Sequence, residues 1–309
     1  MISVKNLVKY YGSFPALKGI SFSVKKGEIL GFLGPNAAGK TTTMRIITGF
    51  IPPTSGEVKV GEWDVFENPM EVKKMVGYLP ENPLIYPEMR VKDYLYFVAE
   101  IKGVPRKERK KRVEEAMEKT GVTEVAHRLL GHISRGYKQR VGLAQAIVHD
   151  PPVLVLDEPT LGLDPKQIKE IRELIKSWKG ERTIILSSHI LPEVEMTSDR
   201  VVIIDKGEIK AEDTPENLSK RITRSHRFHL KVKNFPPVNS EKIKKIEGIK
   251  NIEVSITNSL TILEVETELG KDLREDIFHT IVKNGGIILE FRPVGISLED
   301  VFLRLTTRE

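Results

Sequence analysis

Residues 133–165 read ISRGYKQRVGLAQAIVHDPPVLVLDEPTLGLDP, and this stretch decides the architecture of the chain. It contains a helix start with a glycine, an apolar strand that ends in two acids, and a second acidic turn. A short strand that is apolar throughout is typical of the buried sheet of an α/β protein. Carboxylates are costly to bury without a partner. The two acids at the strand end, Asp157 and Glu158, therefore indicate a cation or a bound water beside them.

A second motif lies upstream, where residues 34–42 read GPNAAGKTT and match the phosphate-loop pattern G-x-x-x-x-G-K-[ST] without a gap. The loop directly follows an apolar strand, 29–33. Backbone N–H groups of such a loop, together with the next helix N-terminus, form an anion cradle. Lys40 supplies a positive charge for the outer phosphates, and the hydroxyl of Thr41 suits Mg²⁺. The predicted phosphate-binding residues are Gly34, Pro35, Asn36, Ala37, Ala38, Gly39, Lys40, Thr41 and Thr42.

Two features of the loop backbone can be anticipated. We expect Gly34 and Gly39 to relieve crowding where the backbone approaches the ligand. Ala37 should be harmless if its φ is negative and should cost stability if its φ is positive.

The composition excludes several other classes of protein. The 309 residues are 30% charged and 39% hydrophobic, which is typical of a soluble globular protein. The chain has no cysteine, which excludes disulfides and thiol chemistry. The net charge of +6 is spread along the chain, whereas nucleic-acid binding favours a concentrated basic patch. The one dense basic run, residues 106–112, predicts a solvated helix face, with contact to an anionic membrane surface as the alternative.

The hydrophobic periodicity indicates two domains. Strand and helix patterns alternate from Pro151 onward, which predicts a parallel sheet with crossover helices. A mostly helical insert at about 85–135 separates the phosphate loop from the Ser134 segment. After a lapse in the apolar pattern, the order β-α-β-β-α-β predicts a ferredoxin-like unit. We expect a nucleotide-binding domain over 1–218 and an accessory or dimerisation domain over 219–309.

Taken together, these motifs resemble the ATP-binding cassette (ABC) ATPases, and most closely the transporter subunits of the subgroup that exports drugs, antibiotics or sodium. The resemblance covers residues 11–189 in the family's motif order. It implies an α/β fold, a P-loop NTPase cassette with a mixed sheet and helical insert. The small ferredoxin-like α+β domain would follow as a C-terminal extension. It also implies ATP hydrolysis with ATP and Mg²⁺ as cofactors.

The resemblance also assigns roles to individual residues. Asp157 would hold Mg²⁺, Glu158 would polarise the attacking water, and His189 would contact the γ-phosphate. Glu81 stands where most members carry glutamine, and it could bind Mg²⁺ or be a plain loop acid. Tyr11 would stack on adenine, although its neighbour in the sequence, Tyr10, is an alternative.

The Ser134 segment is the family's signature turn in a modified form. Ser134 is a preferred helix N-cap, so a helix is expected to begin there. By resemblance, Ser134 and Gly136 contact the γ-phosphate of ATP held by a second copy. The usual motif is LSGGQ, and this chain departs from it at Arg135 and Tyr137. At Ala37 the family usually has glycine. The resemblance implies a homodimer that closes around ATP and reopens after hydrolysis.

The expected partner is a separate integral-membrane permease, because no apolar run of the sequence approaches the ~18 residues needed to span a bilayer. The protein would then be cytoplasmic and peripheral on the inner face of the cell membrane. The helical insert and the Glu81 loop are the expected docking surface, and no nucleic acid is expected. Two alternatives remain open at this point: a soluble ABC ATPase outside transport, or a regulatory protein whose C-terminal domain senses an effector. Neither the transported substrate nor the direction of transport can be read from the sequence.

Overall fold

The computed structural model describes residues 1–188, 190–222, 225–257, 260–268, 272–294 and 298–306. Two compact units result: Met1–Pro215 with Arg304–Glu309, and Glu216–Leu303. His189, a predicted site residue, lies outside the described residues. The predicted domain boundary after Leu218 falls inside a helix, Pro215–Ile222. The domain assignment, including a dimerisation role, stays a prediction.

Strands and helices alternate along both units. The strands are β1 Ile2–Tyr11, β2 Phe14–Val24, β3 Ile29–Leu33, β4 Ser55–Val60, β5 Trp63–Asp64, β6 Val76–Leu79, β7 Val153–Asp157, β8 Thr183–Ser187, β9 Arg200–Asp205, β10 Glu208–Asp213, β11 Ser225–Lys233, β12 Ile249–Thr257, β13 Leu260–Glu268 and β14 Ile287–Val294. The helices are α1 Lys40–Ile47, α2 Pro69–Met75, α3 Val91–Ile101, α4 Arg106–Thr120, α5 Arg135–Ile147, α6 Pro165–Ser177, α7 Leu191–Thr197, α8 Pro215–Ile222, α9 Ser240–Lys244, α10 Arg274–Lys283 and α11 Leu298–Thr306.

The main sheet of the first unit has the strand order β10-β9-β3-β8-β7-β6. Its strands run parallel except for β10, which is antiparallel to β9. Every residue of β3, β7 and β8 is buried, as expected for parallel strands covered on both faces. The carboxyl ends of these three strands meet at one edge of the sheet, where the phosphate loop, Asp157 and Glu158 lie.

Each buried strand contributes to two cores, because successive side chains point to opposite faces of a sheet. Leu154 and Leu156 of β7 join the core shared with α3, α4, α5 and α6. Val153 and Val155 join the core beneath α1 and a second, antiparallel sheet of order β2-β1-β4-β5. The predicted helical insert is confirmed as α3, α4 and two 3₁₀ turns that precede α5.

The second unit has the β-α-β-β-α-β element order that the sequence predicts. Its antiparallel sheet has the order β12-β13-β11-β14, the arrangement of a ferredoxin-like fold. Side chains of the two intervening helices, such as Ile243 of α9 and Ile277 of α10, pack with the inner sheet residues Leu230 and Leu263. The first of these helices is shorter than its apolar pattern suggests, because the chain leaves the helix through tight turns after Lys244.

Candidate functional site: a phosphate loop facing two strand-end acids

The phosphate loop connects β3 to α1, and its lysine lies back across the loop. Lys40 Nζ donates to the carbonyl oxygens of Gly34 at 2.6 Å and Pro35 at 3.1 Å. Burial lowers the pKa of Lys40, while the negative charges of Glu158, Asp157 and Glu81 act in the opposite direction. The ammonium group is thus held by backbone carbonyl oxygens and faces carboxylates. In this position it can form charge-assisted hydrogen bonds with an anionic ligand.

The two loop glycines are required by the protein itself. A Cβ on Gly34 would lie 2.4 Å from the carbonyl oxygen of Ile204, on the neighbouring strand β9. Gly39 has a φ of 112°, which favours glycine, and a Cβ there would lie 2.7 Å from Leu17 Cδ2. The crowding seen in the structure comes from the chain's own backbone and side chains, and the expected role of these glycines toward a ligand stays a prediction.

Ala37 adopts a left-handed conformation, with a φ of 63°. This is the second of the two cases anticipated from the sequence. A Cβ in this region approaches the following carbonyl oxygen and costs about 1–2 kcal/mol relative to glycine. The loop therefore carries local backbone strain at an exposed position.

The two acids at the end of β7 are in different situations. Asp157 is fully buried; its Oδ1 accepts a 2.5 Å hydrogen bond from Ser187 Oγ, and its Oδ2 has no hydrogen-bond partner among the described residues. Glu158 is also buried and has a positive φ of 52°. Its backbone N–H lies 3.1 Å from Ser187 Oγ and 3.2 Å from the Ser187 carbonyl oxygen. One serine on the adjacent strand thus positions both acids.

A cleft of about 540 Å³ opens over the loop and the two acids. The structure brings most of the predicted residues together there: the lining consists of Tyr11, Phe14, Ala16, Pro35, Asn36, Ala37, Ala38, Gly39, Lys40, Thr41, Thr42, Glu81, Asp157, Glu158 and Leu161. Of the two tyrosines considered, Tyr11 lines the cleft and Tyr10 does not. Phe14 is an unpredicted aromatic in the lining.

The predicted signature residues lie outside this lining. Ser134 caps α5, accepting a hydrogen bond from the backbone N–H of Tyr137 at 3.3 Å, so the predicted helix start is confirmed. Gly136 packs against α6, where an added Cβ would lie 2.9 Å from Gln167 Oε1. Gly34, a predicted residue of the phosphate loop, is also outside the lining and is buried.

Three polar contacts near the site have no motif that would reveal them in the sequence. Ser187 Oγ donates to Asp157 Oδ1 and accepts from the backbone N–H of Glu158. Gln139 Nε2 donates to the carbonyl oxygen of Glu158 at 3.0 Å. Thr160 Oγ1 donates to the buried carboxylate of Glu193 at 2.7 Å. A polar residue on an otherwise apolar strand or helix face is the one signal that points to such contacts.

The fold and this cleft define a nucleotide-binding cassette of the P-loop class. The sequence profile of a family described as "ABC transporter" matches residues 17–161. The chain is 36% identical over 307 residues to the bacitracin transport ATP-binding protein BcrA of Bacillus licheniformis, covering 99% of this chain and 97% of that protein. It is 33% identical over 315 residues to the linearmycin resistance ATP-binding protein LnrL of Bacillus subtilis, covering 100% of this chain and 99% of that protein.

Solved structures agree with the sequence relatives. One, titled as the ATP-binding subunit of an ABC transporter, is 30% identical with a TM-score of 0.67, covering 72% of this chain and 92% of that one. A dimeric bacterial ABC transporter cassette, MJ0796, is 25% identical with a TM-score of 0.65, covering 69% of this chain and 98% of that one. The chain therefore belongs to the ABC transporter family, as an ATP-binding and ATP-hydrolysing subunit. The predicted family, fold and enzyme class are confirmed, while the roles of individual site residues stay predictions.

Proposed function

We propose that this ATPase powers the export of an antibiotic-like compound through a separate membrane permease. The proposed ATP hydrolysis rests on the cleft, in which the phosphate loop faces Asp157 and Glu158. The proposed export is supported by full-length similarity to proteins named for bacitracin transport and linearmycin resistance.

The residues of the cleft fit a magnesium ion. The fully buried Oδ2 of Asp157 has no described partner, and such an oxygen is stabilised by a cation. Mg²⁺ prefers oxygen ligands and is usually held by one or two carboxylates together with substrate phosphates. We assign Asp157 and Thr41 to the metal, with Glu81 as an additional oxygen donor at the mouth of the cleft. When bound, the ion would neutralise charge on the outer phosphates.

The chain's own groups perform the remaining steps. The loop N–H groups and the N-terminus of α1 bind the phosphates, and Lys40 exchanges its carbonyl partners for phosphate oxygens. Tyr11 provides a surface for the base, and Glu158 orients and polarises the attacking water. By resemblance, His189 contacts the γ-phosphate.

A second copy of the chain would complete the site. Ser134 and Gly136 do not line the cleft of their own chain, although the resemblance places them on the γ-phosphate. A helix N-terminus is a suitable anion site, and α5 begins next to Ser134. We therefore propose that ATP lies between Lys40 of one subunit and the α5 N-terminus of the other.

Replacing Glu158 by glutamine tests this proposal. Glu158→Gln keeps the side-chain shape and removes the charge that polarises water. A lost general base costs ~10²–10⁴ in rate, so ATP should stay bound and hold two chains together. Light scattering should show a dimer with Mg-ATP and a smaller species without nucleotide. Hydrolysis at the parent rate with no ATP-dependent change in mass would contradict both the catalytic role and the ATP-bridged dimer.

A separate groove of about 510 Å³ is the proposed permease-docking surface; it is lined by Arg45, Thr48, Phe50, Lys73, Val76, Tyr78, Pro80, Asn82, Leu84, Lys102 and Gln145. It lies beside the segment that follows β6, since Pro80, Asn82 and Leu84 belong to its lining. Phe50 and Leu84 are largely exposed, so the rim offers apolar surface that a partner would cover.

The charge of this groove complements an acidic partner segment. Its described lining includes three cationic side chains, Arg45, Lys73 and Lys102, and no carboxylate. Burial lowers the pKa of Lys102 to about 8, so this ammonium group remains largely protonated at neutral pH. Among the described residues, no helix is both long and apolar enough to cross a membrane. We propose that a cytoplasmic helix of the permease occupies the groove and holds the chain at the inner face of the cell membrane.

A site-specific photocrosslinker can test this docking surface in membranes of the source cell. Placed at Leu84, which is 75% exposed, it should form a covalent product with an integral-membrane protein. The same group at Val238, which is 74% exposed but lies in the second unit, serves as the matched control. Products with lipid alone, or equal products at both positions, would contradict the assignment.

A further inference from the structure

The signature helix α5 and the catalytic acid of the same chain are directly connected. Gln139 is buried on α5, with 4% of its surface exposed, and its side-chain amide donates to the backbone carbonyl of Glu158 at 3.0 Å. The same carbonyl also accepts a 3.1 Å hydrogen bond from the backbone N–H of Leu161. The peptide that follows the catalytic carboxylate is therefore fixed from outside its own turn by one side chain.

The backbone around Glu158 needs such support because its conformation is unusual. A non-glycine residue with positive φ is strained and persists when surrounding contacts hold it. Ser187 accepts from the Glu158 N–H on one side, and Gln139 donates to its carbonyl on the other. These two contacts hold the backbone from which the carboxylate of Glu158 extends.

The first turn of α5 contacts the segment just beyond Glu158. A Cβ on Gly162 would lie 2.9 Å from Arg135 Nε, and a Cβ on Gly136 would lie 3.4 Å from Leu163 Cδ2. Gln139 follows on the next turn of the same helix, since residues three apart lie on one helix face. A shift of the α5 N-terminus is therefore transmitted to Glu158 through a rigid element.

We propose that Gln139 is a positioning residue for hydrolysis, which sets the carboxylate of Glu158 according to whether the α5 N-terminus is engaged. This inference rests on the proposed function, in which that N-terminus binds the nucleotide of a second copy. Nucleotide held by one subunit thereby prepares the catalytic acid of the other subunit. The two ATP sites of the dimer communicate through one hydrogen bond in each chain.

Replacing Gln139 by methionine removes the amide donor and keeps the length of the side chain. Gln139→Met should leave the Glu158 carbonyl still paired with Leu161 N–H, so the variant should fold. We expect kcat to fall by about 10–100-fold, because small misplacements of catalytic groups have effects of this size. The KM for ATP should stay within about twofold, since the phosphate loop is untouched. Lys138→Met is the matched control, because Lys138 lies beside Gln139 on the same helix, is half-buried and lines neither the cleft nor the groove.

A double-mutant cycle separates positioning from a general loss of structure. In a Glu158→Gln background, single-turnover hydrolysis should be no slower with Gln139→Met than without it, and ATP-driven dimerisation should persist. A second variant, Gln139→Asn, withdraws the amide by one methylene and should behave as Gln139→Met does.

The outcomes discriminate between the two proposals. Additive rate losses in the cycle, a parent-like kcat for Gln139→Met, or unfolding of both Gln139 variants would overturn the positioning role. If Glu158→Gln alone hydrolyses ATP at the parent rate, the proposed catalytic function fails instead.

Discussion

Ala37 holds an exposed position of the phosphate loop in the left-handed region, with a φ of 63°. Glycine at this position would remove a conformational cost of about 1–2 kcal/mol. Part of that gain is offset, because glycine also increases the entropy of the unfolded chain by about 0.4–1 kcal/mol.

Ala37→Gly should therefore raise the free energy of unfolding by about 0.5–1 kcal/mol without weakening ATP binding. Ala38→Gly is the control, since Ala38 is buried and is not among the residues with positive φ. That neighbouring change should lower stability by about 1 kcal/mol. Urea denaturation of both variants, with and without ATP, measures the difference. Equal shifts of the same sign would show that the backbone of residue 37 is not strained.

The sequence predicts the residues that line the cleft better than the residues whose hydrogen bonds position them. Lys40, Asp157 and Glu158 belong to motifs with fixed local spacing, so their neighbourhood could be anticipated. Ser187 and Gln139 contact the acids from distant parts of the chain, and each is a common polar residue without a local pattern. Only the three-dimensional pairing of strands and helices brings them to the site.

Helix α5 combines a structural cap with a proposed ligand site at the same residue. Ser134 Oγ accepts from Tyr137 N–H, which stabilises the first turn. Aspartate and serine are nearly equivalent N-caps, whereas alanine loses about 0.5–2 kcal/mol.

Ser134→Asp should therefore keep thermal stability and abolish ATP-driven dimerisation. The new carboxylate would repel the γ-phosphate of the ATP that the second copy holds. Ser134→Ala should show the opposite pattern, with a lower unfolding temperature and retained dimerisation in the Glu158→Gln background. Differential scanning fluorimetry and light scattering report the two properties separately. Parallel losses of both properties in each variant would assign Ser134 to the cap alone.

The elements themselves were largely predictable, because apolar runs and period-two alternation mark β3, β7 and β8 clearly. The end of α9 was less predictable. Its apolar pattern continues through Ile246, yet the helix closes at Lys244 with turn hydrogen bonds that a hydrophobic period does not encode. The register irregularities between β1 and β2 are also not visible in the hydrophobic alternation of the sequence.

The whole molecule consists of two compact units with their own hydrophobic cores. Ending the chain after Pro215 removes the short C-terminal segment of the first unit but should leave a folded cassette, because the phosphate loop, both strand-end acids, α5 and both hydrophobic cores of that unit precede this point. ATP binding should remain within about threefold of the parent, while self-association without nucleotide should weaken. Isothermal titration and analytical ultracentrifugation measure these properties. A truncated chain that aggregates and binds no ATP would show that the cassette depends on the second unit.

The strand order of the main sheet has a consequence for the biosynthesis of the protein. β3, which leads into the phosphate loop, pairs with β8 and β9 from the far end of the cassette. A ribosome that has already made the loop must still synthesise most of the first unit before these neighbours emerge. Contacts between such distant segments form slowly, and the apolar β3 stays unpaired meanwhile. We therefore expect the nascent chain to bind nucleotide only after β9 has left the exit tunnel, and substitutions in β9 to slow maturation although no residue of that strand lines the cleft.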